Sequence, residues 1–155
     1  MTDELGALRA AIEGLYAAFR HYPLRPVTDY CTHCVTPEDE ARIHAKPLRE
    51  LDGKDLGKFG GEVLYTWGDE RDFKHFLPRL LDLAAFDAGY WPDLDALFRK
   101  LDYGKWRTWP ESERRAIESF LRAYLSAAVE DPFAPPVSPE VKRALDNLAP
   151  GTPVA

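Results

Sequence analysis

The chain has 155 residues, of which 45% are hydrophobic and 30% charged, and its 20 basic and 26 acidic side chains leave a net charge of −6. This composition excludes a mainly disordered chain, and a domain of this length buries roughly 70% of the surface its unfolded form exposes, so a packed core needs no disulfide staple. The acidic balance opposes nucleic acid or an anionic membrane as a partner of the whole surface.

Helix punctuation is legible from the first residues. Thr2 is placed to cap a helix whose Leu5, Leu8, Ile12, Leu15, Tyr16 and Phe19 recur at steps of three and four, and which must stop before Tyr22-Pro23. Residues 23 to 35 hold Pro23, Pro26 and both cysteines and read as loop. Thr36-Pro37-Glu38-Asp39 combines a cap, a first-turn proline and two carboxylates, which predicts a short helix to about Ala45, ended by Pro47. After Asp52-Gly53, the series Leu56, Phe59, Val63, Leu64 and Trp67 predicts a third helix. Gly57, Gly60 and Gly61 would each cost it about 1 kcal/mol against alanine unless they mark close helix contact.

Asp69 with Asp72 predicts the start of a fourth helix carrying Phe73, Phe76, Leu77, Leu80, Leu81 and Ala84, with Pro78 inside it and Gly89 at its end. Leu94, Leu97, Phe98 and Leu101 predict a fifth that stops near Gly104. Thr108-Trp109-Pro110-Glu111 has the pattern of a capping box opening a sixth, of about twenty residues, with Ile117, Phe120, Leu121, Tyr124, Leu125 and Ala128 on one stripe. Residues 132 to 136 read as connector, and Ser138-Pro139-Glu140 as the start of a last short helix through Leu148. No window alternates like a strand and no repeat period emerges. The expected fold is all-α, an irregular bundle of about six or seven helices without a sheet, with residues 1–149 as one domain and 150–155 as a tail.

Met1-Thr2-Asp3-Glu4 is acidic where a secretory signal is basic, and no apolar run nears the ~20 residues of a membrane span, so a cytoplasmic protein is expected. There, two cysteines suit free thiols, a metal site or a redox pair better than a structural disulfide. Cys31-Thr32-His33-Cys34 supplies two thiols that a tight turn can aim at one ion, which is half of a four-ligand zinc site. His44 and His75 are the candidates to complete it. A redox reading of the same spacing lacks the strand that precedes such a pair in disulfide-forming oxidoreductases. Two unremarkable reduced thiols are the third alternative.

Other motifs fail on their own terms. Gly53-Lys54-Asp55-Leu56-Gly57-Lys58-Phe59 has its second glycine one residue early for a phosphate loop, and Phe59 stands where a Mg²⁺-binding hydroxyl belongs. No Gly-x-Ser-x-Gly elbow, His-Glu-x-x-His run or paired acid and base is present. Tyr90, Trp91, Phe98, Tyr103, Trp106 and Trp109 are interleaved with Arg99, Lys100, Lys105 and Arg107. They are read first as helix-end core, then as a partner surface centred on Trp91, Tyr103, Trp106 and Trp109, and last as a single-strand nucleic-acid platform, which the net charge opposes. His75, between Phe73 and Phe76 near Pro78, is a hydrogen-bonded structural histidine or a ligand.

Thr66-Trp67-Gly68-Asp69, Asp72-Phe73-Lys74-His75-Phe76-Leu77-Pro78-Arg79 and the cysteine run resemble segments of uncharacterised bacterial proteins. The resemblance covers roughly residues 30 to 83, implies that the cysteine loop and the fourth helix form one unit, and transfers no activity. Two functions are carried forward. The first is a non-enzymatic helical domain that binds a protein partner or a second copy of itself, with zinc at the Cys31/Cys34 loop. The second is a metal-dependent or thiol-redox enzyme built on the cysteine pair and a histidine.

Overall fold

Helix α1 (Thr2–Phe19) lies along α6 (Glu111–Glu130) and crosses α4 (Glu70–Phe86), and this trio forms the body of the molecule. The computed structural model describes residues 2–86 and 92–130, together with 139, 141 and 143. Between α1 and α4 come α2 (Pro37–His44), a 3-10 turn at Leu48–Glu50 and α3 (Gly53–Glu62). Helix α5 (Leu94–Tyr103) and a second 3-10 turn at Trp106–Thr108 lead into α6. The described residues form an irregular all-α bundle, with two isolated bridges, Tyr30 to Trp67 and Val63 to Trp67, and no strand. No helix among them is long and apolar enough to cross a membrane.

The caps explain why the helices begin where they do. Thr36 Oγ1 accepts from the Asp39 N–H while the Asp39 carboxylate accepts from the Thr36 N–H. The pair Asp52 and Asp55 repeats this exchange at α3. Asp69 and Asp72 do so at α4. Each device satisfies N–H groups that the first helical turn leaves without an intrahelical partner. Asp93 caps α5 through the Ala96 N–H.

Three expectations change in the structure. Thr2 is the first helical residue of α1 rather than a residue outside it, and Leu5 is 43% exposed. Helix α3 stops at Glu62, because Leu64 takes a left-handed backbone with φ of 71° and turns the chain, which removes Trp67 from the helix. Thr108 does not cap α6; its hydroxyl donates to the Lys105 carbonyl, while α5 ends at Tyr103 beside Gly104 as expected and Lys105 at φ 58° turns the chain. Helix α4 continues through Pro78 and is described to Phe86, so the stop expected at Gly89, like Trp91 and nearly all of the last predicted helix, lies outside the described residues.

One glycine of α3 does mark close contact. A Cβ on Gly60 would lie 2.5 Å from both Cγ and Cδ of Pro92, which leads into α5. The core around it holds Phe59, Phe73, Phe76, Phe98, Phe120, Trp67 and Trp106, all essentially without solvent contact. A buried ion pair sits among these aromatics, where α4 meets the start of α6. Lys74 Nζ is 2.8 Å from Glu113 Oε1, and the two side chains are 5% and 1% exposed. Tyr22 donates its hydroxyl to Glu113 Oε2, and the ammonium lies over the rings of Tyr22 and Trp109 at 4.9 and 4.4 Å. Burial works against the Lys74 charge, but the adjacent Glu113 carboxylate and the hydrogen bond to the Tyr22 hydroxyl outweigh it and hold its pKa above that of a free lysine.

Removing one partner of a buried pair leaves the other charge without compensation. Glu113→Ala should therefore destabilise the protein by about 3 kcal/mol in urea unfolding. Glu13→Ala, which breaks the exposed Arg49–Glu13 pair, should cost less than ~1 kcal/mol.

Candidate functional site

The loop between α1 and α2 and the turn between α3 and α4 form no strand, and beyond their own turn bonds they pair with each other. The Cys31 N–H donates to the Thr66 carbonyl at 2.8 Å and the Gly68 N–H to the Asp29 carbonyl at 2.7 Å. Glu40 of α2 then ties both segments down. Its Oε2 accepts from the Thr28 N–H at 2.8 Å and lies 3.0 Å from His44 Nε2, while Oε1 accepts from the Trp67 indole at 3.0 Å. Thr28, fully buried, places Oγ1 3.2 Å from the same His44 nitrogen.

A cleft of about 460 Å³ opens beside this seam, lined by Tyr30, Cys31, Tyr65 and Trp67 and by the carboxylates of Asp29, Asp69 and Asp72. Arg25, also on its wall, reaches Asp69 at 3.1 Å and Asp72 at 3.6 Å. Burial and the neighbouring Asp69 push the Asp72 carboxyl up, whereas for Asp69 the Asp72 N–H and Arg25 overcome burial and hold it low. One guanidinium therefore faces three carboxylates, and the cleft favours positive charge.

Cys31 lies on the cleft wall and is half-buried, Cys34 is exposed, and both are free. The N–H groups of Cys34 and Val35 donate to the Cys31 carbonyl at 3.1 and 3.0 Å, so residues 31 to 35 form one closed turn. The His33 N–H and the Cys34 thiol favour the thiolate form of Cys31 and lower its pKa, against weaker opposition from burial and the Glu62 carboxylate. The same contact raises Cys34, which keeps the proton.

The histidines expected to complete a metal site are engaged elsewhere. His44 is held by Glu40 and Thr28. His75 lies 2.8 Å through Nδ1 from the Tyr22 carbonyl, which requires the proton on Nδ1, and burial holds its pKa down. Among the described residues no three His, Cys, Asp or Glu side chains gather as a metal-holding group. The structure thus brings Cys31 and Cys34 together and leaves His44 and His75 in the hydrogen-bonded interior.

The aromatic segment divides. Trp106 and Trp109, read first as helix-end core and second as a partner surface, are 1% and 4% exposed, which leaves them no part in a surface, and their indoles donate to Asp102 and to Glu70 with the Gly104 carbonyl. They are core because the turn after α5 folds them inward against Phe98, Phe19 and Phe73. Tyr103 remains exposed and meets Tyr65 edge to face at 4.7 Å. The sequence reading missed Tyr65, Arg25 and the role of Glu40. The i,i+4 spacing of Glu40 and His44 was the one available signal, obscured by Glu38 and Asp39 beside it. No known protein family, curated protein or solved structure matches the chain.

Lys100 supports the turn from below, donating to the Val63 carbonyl at 2.7 Å with its ammonium 3.2 Å from the centre of the Tyr65 ring. Burial lowers its pKa to about 8, with Glu62 opposing the shift. The unfolded chain therefore holds more protons at this position between about pH 8 and the ordinary lysine range, and stability from this group rises with pH across that window. Urea unfolding at pH 7 and pH 10 should show wild type gaining on Lys100→Met as pH rises, whereas a constant difference would contradict the assignment.

Proposed function

We propose that the chain is a non-enzymatic helical module that binds a protein partner through its cleft face, and that Cys31 and Cys34 supply half of a zinc site completed by that partner. The supporting observation is the thiol pair itself, held on a turn pinned to Thr66, open to solvent and with the Cys31 sulfur favoured as thiolate. Zinc takes four donors tetrahedrally and binds thiolates at about 2.3 Å. Two sulfurs from one chain leave two positions for a second protein.

In solutions of this chain alone, the source of further thiolates is a second copy, so the arrangement becomes four sulfurs around one ion between two chains. Tyr65 and Tyr103, 57% and 58% exposed beside the cleft, provide aromatic surface of the kind that anchors interfaces. The carboxylates of the cleft suit a partner with basic side chains.

Zinc binding must release the proton that Cys34 retains, so affinity should fall as pH is lowered. Reduced chain mixed with zinc, desalted and measured by elemental analysis and light scattering should retain one zinc per two chains and run as a dimer. Cys31→Ser and Cys34→Ser should each abolish retention and leave a monomer. Retention no greater in wild type than in the double serine variant would refute the reading.

A further inference from the structure

The cleft already holds one cation, and it comes from the chain itself. We propose that the cleft is a binding site for one alkylguanidinium group from outside, which takes the place of Arg25 between Asp69 and Asp72. The proposal shares the cleft face with the partner reading but uses neither thiol and no metal.

The first observation is a buried carboxylate. Asp72 lines the cleft and is 4% exposed. Its Oδ2 accepts from the Asp69 N–H, whereas among the described residues Oδ1 receives no hydrogen bond, and Arg25 Nε stands 3.6 Å away, outside hydrogen-bond range. A carboxylate oxygen in this state gains from a donor that reaches it squarely.

The second is how lightly Arg25 is held. Its Nη1 is 3.1 Å from Asp69 Oδ2, but the two side chains are 38% and 58% exposed, and a pair so open to water contributes little. Arg25 lies between Pro23 and Pro26, which have no N–H, and none of residues 23–27 takes part in a backbone hydrogen bond among the described residues. Val27 is 69% exposed and gives the segment little apolar anchorage. Thr28, by contrast, is fixed through Glu40. Arg25 can therefore leave the carboxylates without disturbing the backbone bonds that shape the cleft.

The third is space and charge. A volume of about 460 Å³ lies in the range of small-ligand sites, and Tyr30 and Tyr65 on the walls suit an alkyl chain. Lys100 behind the Tyr65 ring is opposed by Glu62, so it does not cancel the carboxylates. Once Arg25 moves aside, Asp29, Asp69 and Asp72 face a single incoming charge. The planar fork of a guanidinium can serve Asp69 and Asp72 together, which a compact ammonium does less well. Such a group arrives on a free small molecule or on an arginine of a polypeptide.

The test uses full-length chain, reduced and kept in chelator, titrated with n-butylguanidinium and with Nα-acetyl-arginine N-methylamide while amide and indole shifts are followed by NMR. Saturable shifts centred on Cys31, Trp67 and Gly68 are expected with both probes, and none with n-butylurea, the neutral isostere. Asp72→Asn, which keeps an acceptor for the Asp69 N–H, should weaken binding about tenfold. Asp29→Asn, away from any helix cap, should weaken it about threefold and keeps the test open should the first variant not fold. Arg25→Gln should tighten binding about fivefold, because the internal competitor is gone. Stronger binding of the blocked arginine assigns the ligand to a polypeptide, and equal or weaker binding assigns it to a free guanidine. Shifts spread over the whole surface, an equal response to n-butylurea, or Arg25→Gln that binds no tighter would overturn the proposal. With zinc excluded, the result stands whether or not the metal-bridged dimer forms.

Discussion

The cleft end of this molecule depends on one carboxylate. Glu40 collects the Thr28 N–H, the Trp67 indole and the His44 imidazole, and these come from the first loop, from the turn after α3 and from its own helix. Loop and turn have no regular ladder of their own, so each would expose unpaired backbone groups if it came loose. With Glu40 in place, Cys31 and Gly68 complete the seam between them. The position of the thiols and the width of the cleft then follow from backbone bonds rather than from side chains that can rotate freely.

Charges placed inside the bundle follow the same logic at two other points. Lys74 and Glu113 neutralise each other where α4 meets α6, and Tyr22 brings the end of α1 into the same contact. A buried pair of this kind adds little net stability over apolar residues of equal volume, but it penalises any packing that separates its members. It therefore favours one arrangement of these helices. Among the described residues Lys100 pairs with no carboxylate and relies on the Val63 carbonyl and the Tyr65 ring, so burial depresses its pKa. Its position links α5 to the turn that carries Tyr65, Thr66 and Trp67, so the cleft wall is braced from both sides.

The metal reading draws on two thiols that one closed turn holds close together. Zinc needs both thiols deprotonated and further ligands from outside. The histidines do not supply them, since Glu40, Thr28 and the Tyr22 carbonyl occupy them.

The helices and their starts were written in local sequence, because capping and helical periodicity involve residues three and four apart. Thr36 with Asp39, Asp69 with Asp72, and the stripe of Phe73, Phe76, Leu77, Leu80 and Leu81 are all read correctly from the chain, and so is the all-α class. The thiol turn was legible for the same reason. What tertiary structure alone decided were contacts between residues far apart in sequence. Leu64 breaks α3 where the apolar series would continue it, since the turn there is held by Lys100 and by pairing with the cysteine loop. Trp106 and Trp109 go inward because the turn after α5 closes on α1 and α4. His44 and His75 are free in the sequence and engaged in the fold, because Thr28 and the Tyr22 carbonyl on the loop before α2, with Glu40 on α2 itself, claim them. Local pattern determined which segments are helices; long-range hydrogen bonding and burial determined which polar side chains remained available for chemistry.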